Sequence, residues 1–169
     1  MAGHDRITPD GKRFFKELEE LVKLQARVGF TANGKGYGDR GQEVTAKEYE
    51  KKGGKPPPTV ADVAMWNELG TANSPARPFL RQSVDNNESK IRKMCELQLE
   101  ALAHGETGAQ EALKAVGALQ VGLIQNEIRN GGFTPNAPST IKKKGSAKPL
   151  IDTARMQQSV HYVIEQKGG

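Results

Sequence analysis

One cysteine, Cys95, stands in a chain of 169 residues. A lone thiol excludes an intramolecular disulfide framework and any zinc site built from several thiolates, and it suits a reducing cytoplasm. Histidine is scarce as well: His4, His104 and His161 fall in an N-terminal tail, at a helix end and in a strand. Neither an H-E-x-x-H helix nor a nucleophile elbow occurs. Aromatics make up only 5% of the chain and do not interleave with its basic run, as a platform for single-stranded nucleic acid would require. No apolar run approaches the roughly 20 residues of a membrane span. The opening residues, MAGHDRITPDGKRFF, lack the apolar core of a secretory leader, so neither a membrane nor the usual export route is expected.

Spacing argues against chemistry as much as composition does. Cys95 and His104 could serve as nucleophile and base, but nine positions on one helix hold them about 13 Å apart at about 1.5 Å per residue. Gly36, Gly38 and Gly41 form a literal G-x-G-x-x-G after a predicted strand. A dinucleotide site would need the rest of a βαβ unit where KKGGKPPP, Lys51 to Pro58, stands instead, and no P-loop run occurs. No catalytic residue, cofactor or metal ligand set is expected.

What is present is a basic but mixed surface, with 25 Lys and Arg against 20 Asp and Glu. A formal charge of +5 favours acidic partners, nucleic acid among them, although a dedicated DNA binder is usually more lopsided. Hydrophobic residues at 36% suffice for one core in a single domain, 1–169, while a mean hydropathy of −0.65 leaves a polar exterior whose stability can lean on neighbouring subunits.

Periodicity predicts α+β architecture: a small mixed or antiparallel sheet packed with a long helical pair. Thr8 and Pro9 open a helix running to Lys23, and Leu24 to Thr31 alternates as a strand with one buried face. An extended loop at 33–58, rich in Gly, Lys and Pro, is expected to be mobile and to order against a neighbour, with a short strand or helix around Glu43 to Glu50. Thr59 and Asp62 offer a capping pattern for VADVAMWNEL, which Gly70 ends. After Pro78 a long helical pattern runs to His104 and Gly105; Thr107 with Gln110 then caps a second helix, Ala109 to Arg129. Gly117 and Gly122 in that helix predict close approach of another backbone. A basic loop at 133–149 leads to a short helix capped by Asp152 and a last strand at Val160 to Ile164.

The least generic stretch is Trp66 to Val84, WNELGTANSPARPFLRQSV, with the only Trp and a rigid connector carrying Pro75 and Pro78. Phe79 and Leu80 are apolar anchors at a helix start that Pro78 is suited to open. Arg77 and Arg81 bracket them. Guanidinium forks beside an apolar anchor suit an interface, and solvated arginines at a helix start are the plain alternative.

WNELGT, a short spacer and ARPFLRQSV resemble the signature of the tail completion, or virion morphogenesis, proteins of tailed bacteriophages, which work at the head to tail junction. A second block, NAPSTIKKKGSAKPLIDTARMQQSVHYVI, is similar to the family pattern that runs from Pro and Thr through a basic turn to Pro, Leu, Ile, Asp and Thr, departing from it at Ala154, where relatives often carry Gly. The resemblance implies a small sheet packed with a long helix and a structural, non-enzymatic role without cofactors. It implies a homo-oligomeric ring, sixfold, in the virion neck or at the head-proximal end of the tail, assembled in the host cytoplasm. Partners would be connector proteins on the head side and tail tube or terminator proteins on the tail side. The assembly interface is then expected at Trp66, Arg77, Phe79, Leu80, Arg81, Leu150, Asp152 and Arg155. Lys142, Lys143, Lys144 and Lys148 would make at most weak, sequence-independent contact with passing genomic DNA. The alternative is a basic nucleic-acid binding module, supported by charge alone, and an enzyme using Cys95 comes last.

Overall fold

The computed structural model describes residues 7–30, 35–37, 43–45, 58–136, 138, 141–142, 150 and 155–168. In chain order the elements are α1 (Pro9–Lys23), β1 (Leu24–Gly29), β2 (Lys35–Tyr37), β3 (Glu43–Thr45), α2 (Val60–Leu69) and α3 (Phe79–Asp85). They continue with α4 (Glu88–His104), α5 (Ala109–Asn130), α6 (Arg155–Gln158) and β4 (His161–Gln166). The fold is α+β, with helix predominating. The chain divides into two compact units, residues 1–28, 87–121 and 162–169 in the first and 29–86 and 122–161 in the second.

In the first unit, α1 begins as its residues require: the Thr8 hydroxyl accepts from the Gly11 N–H at 3.1 Å and Pro9 takes the first helical position. β1 follows directly and pairs with β4 in a two-stranded sheet. The Lys167 N–H donates to the Lys23 carbonyl at 2.8 Å, which sets the end of β4 beside the start of β1, so the strands run antiparallel. Glu165 accepts from the Gln25 side chain at 2.8 Å and pairs with Arg27 at 2.5 Å. Leu24, Leu102, Ala109 and Ala112 are buried. Gly105 ends α4 in the left-handed region at φ 75°, and the Arg13 guanidinium lies where a β-carbon would project. The expected Thr107 and Gln110 box is replaced by a tertiary cap. Glu17 of α1 accepts from the Ala109 N–H at 2.8 Å, placing a carboxylate at the positive end of α5, while Gln110 donates to Glu20 at 3.4 Å.

The pattern read as one helix after Pro78 is two helices, α3 in the second unit and α4 in the first. Asp85, Asn86 and Asn87 favour turns because short polar side chains compete for the backbone, and Asn87 leaves helical geometry at φ −130° and ψ 19°.

In the second unit β2 and β3 form an antiparallel hairpin in the register Lys35 to Thr45, Gly36 to Val44 and Tyr37 to Glu43, with β3 where a short strand or helix was expected. The rest of the loop at 33–58 lies outside the described residues, as does most of the basic loop at 133–149. Phe79 is fully buried and meets Phe30 edge-on at 6.0 Å between centroids. Val60, Ala64, Leu123, Ile124, Ile128, Leu150, Met156 and Val160 of this unit are buried as well. The Gln125 side chain donates to the Gln157 carbonyl at 3.2 Å, tying the C-terminal half of α5 to α6.

The two glycines of α5 differ. A β-carbon on Gly117 would stand 2.9 to 3.1 Å from the Tyr162 side chain, so an aromatic ring rather than a backbone occupies that space. Gly122 has nothing within 4 Å among the described residues, and the expectation of close approach there is corrected.

Candidate interaction surface at the corner of α2 and α3

The corner from Thr59 to Asp85 is built by polar groups that satisfy one another. Thr59 accepts from the Asp62 N–H, and the Asp62 carboxylate accepts from the Thr59 N–H at 2.8 Å and its hydroxyl at 2.7 Å, a complete capping box for α2. Those bonds, hydroxyl first, hold the Asp62 carboxyl below the ordinary aspartate range. Gly70 ends α2 at φ 78°, where a β-carbon would lie 2.8 Å from the Ala76 nitrogen, so no other residue fits without moving the connector. Thr71 and Ser74 bridge to each other, and the chain returns so that the Arg77 N–H donates to the Asn67 carbonyl at 2.7 Å.

Pro78, at φ −76° and ψ 61°, forms an inverse γ-turn closed by the Phe79 N–H on the Arg77 carbonyl at 2.7 Å. Pro78 therefore precedes α3, where it can offer no side-chain cap. Glu68 of α2 caps instead, accepting from the N–H groups of Leu80 at 2.8 Å and Arg81 at 3.2 Å.

The γ-turn aims Arg77 inward. Only 6% exposed, its guanidinium donates to Asn67 Oδ1 at 3.3 Å, the Thr134 carbonyl at 3.2 Å and Asn136 Oδ1 at 3.2 Å. All three acceptors are neutral, and burial pushes the Arg77 pKa down. Arg77 is thus a clasp between α2, the connector and the segment after α5, a correction to its reading as an interface contact. Phe79 and Leu150, fully buried and 7% exposed, likewise anchor the interior and present no side chain to a partner.

The residues left outside are of another kind. Met65, Trp66 and Leu69 are 49%, 44% and 66% exposed, and their spacing places them on one face of α2. Arg81 is exposed, Leu80 and Arg155 are half-buried, and Lys142 is exposed. Asp152, Lys143, Lys144 and Lys148 lie outside the described residues. Among the described residues no group of His, Cys, Asp and Glu could hold a metal, and no helix is long and apolar enough to cross a membrane. Sequence reasoning missed the bonds of Glu68 to Leu80 and Arg81 and of Asn67 and Asn136 to Arg77, which span ten or more positions, and also the outward turn of Met65 and Leu69. The one available signal was local: Met65, Trp66 and Leu69 recur at helical spacing in a short helix.

No protein-family model, no curated protein and no solved structure matches this chain.

Proposed function

We propose that this protein is a structural component of a tailed-phage virion, a ring-forming subunit at the head to tail junction that completes the tail or joins it to the DNA-filled head. The reading rests on the resemblance of the two sequence blocks. The observation that best supports it is the α2 and α3 corner, where a closed polar interior carries an outward apolar patch of Met65, Trp66 and Leu69, with Arg81 also exposed. An exposed apolar patch that includes an aromatic is suited to protein contact. Loss of the protein should leave full heads and separate tails that do not join, with every enzymatic step of assembly intact. Trp66→Ala combined with Arg81→Ala should give a folded subunit that no longer enters particles. Normal infectious particles from that double variant would remove the corner from the interface, and a particle image with one isolated copy would remove the ring.

A further inference from the structure

The first unit holds a cavity that the corner does not use. It measures about 370 Å³, at the lower end of the roughly 300 to 1,000 Å³ of small-molecule pockets. Cys95 and Leu99, one turn apart on α4, line it with Ala112 and Val116, one turn apart on α5, and with Leu21 and Leu24 from the junction of α1 and β1. Leu24 and Ala112 are buried, whereas Leu21, Leu99 and Val116 retain surface open to water. An apolar group that displaces water from those walls is held there by the hydrophobic effect.

No aromatic ring lines the cavity, so nothing there stacks on a flat ligand, and its aliphatic walls suit a flexible alkyl chain. The side-chain amides present are those of Gln25 and Gln98, which already donate to Glu165 at 2.8 Å and to the Met94 sulfur at 3.8 Å. A peptide segment would bring backbone groups that such walls leave unsatisfied, and an alkyl chain brings none.

Charge decides the head group. Lys167 is the only Lys, Arg, Asp or Glu in the lining; it is exposed, and no carboxylate pairs with it among the described residues. Glu96 and Glu100, beside Cys95 and Leu99 in sequence, fall outside the lining, and Glu165 is engaged by Arg27 and Gln25.

We propose that this cavity binds a small anionic amphiphile, an unbranched alkyl chain of medium length ending in a carboxylate, with the chain against Leu21, Leu99 and Val116 and the carboxylate on the Lys167 ammonium. The site shares no residue with the corner, so this binding is a further function and does not rest on the junction role.

Calorimetry on the full chain compares octanoate, hexanoate, octan-1-ol and octylammonium. Octanoate should fill one saturable site about ten-fold more tightly than hexanoate, since each buried methylene contributes about three- to four-fold. Octylammonium should bind about ten-fold more weakly than octanoate, because its charge turns attraction to Lys167 into repulsion. Lys167→Glu, at an exposed position, should reverse that preference and leave octan-1-ol binding as in the parent, which also shows the variant to be folded. Cys95, the only thiol, reports the place: octanoate at about ten times its Kd should slow alkylation by N-ethylmaleimide about ten-fold, the factor by which the open cavity is depleted. No saturable binding, octylammonium binding as tightly as octanoate, a preference unmoved by Lys167→Glu, or an unchanged Cys95 rate each overturns the proposal. None of these results alters the expected defect in joining heads to tails.

Discussion

Replacing Arg77 separates an interior clasp from a surface contact. Arg77→Ala removes three hydrogen bonds from a side chain that is 6% exposed. At about 0.5 to 1.5 kcal/mol net for each bond, the loss is about 1.5 to 4.5 kcal/mol. Asn136, itself 7% exposed, forfeits the Arg77 donor to its side-chain oxygen, which adds to the cost. Against this, removing a cation buried beside neutral acceptors relieves desolvation and returns part of the loss. The expected net destabilisation is about 3 kcal/mol, with Arg77→Lys about 2 kcal/mol, because one ammonium cannot span three separated acceptors. Trp66 is the only tryptophan and lies in the same unit, on the helix that carries Asn67, so its fluorescence in a urea titration reports this unit's unfolding. With a slope of about 2 kcal/mol per molar urea, the midpoint should fall by about 1.5 M for the Ala variant. Arg81→Ala, at an exposed position, should stay within about 0.5 kcal/mol of the parent. A midpoint shift below about 0.25 M for Arg77→Ala would show that the clasp carries no stability.

The corner and α5 yield further expectations. Glu68→Ala strips the cap from α3 and should cost about 1 to 2 kcal/mol by the same fluorescence titration, because no side chain of α3's own replaces it; an unchanged midpoint would exclude the tertiary cap. Gly122→Ala, with open space around it, should stabilise α5 by about 1 kcal/mol through helix propensity. Gly117→Ala should gain nothing or lose stability in thermal unfolding, since its β-carbon meets Tyr162; equal gains at both positions would refute that packing. For Asp62 the folded pKa is depressed, so its stabilisation is present above the unfolded pKa and is lost as pH falls through the lowered folded value. Asp62→Asn should therefore flatten the stability profile at the acid end of the aspartate range, and identical acid profiles for variant and parent would count against the capping box.

Much of the local structure was legible in the sequence. Thr8 with Pro9, Thr59 with Asp62, and the stops at Gly70 and Gly105 are decisions made within one helical turn, where a hydroxyl, a pyrrolidine ring or a missing β-carbon acts on its immediate neighbours. The same short range explains why the ends of α1 and the C-terminal end of α5 followed from the local sequence.

Tertiary structure decided whatever depended on a partner far along the chain. Nothing beside Ala109 announces that its N–H will be taken by Glu17, 92 positions earlier, and nothing beside Arg77 announces Asn136, 59 positions later. An arginine next to a proline reads as a surface charge until a γ-turn points it inward, and Leu21 and Val22 read alike as helix apolars until packing covers one flank of α1 more than the other. Spacing along a helix establishes which side chains share a face. Only the arrangement of the other elements establishes whether that face meets protein or water, because burial is a property of what lies opposite.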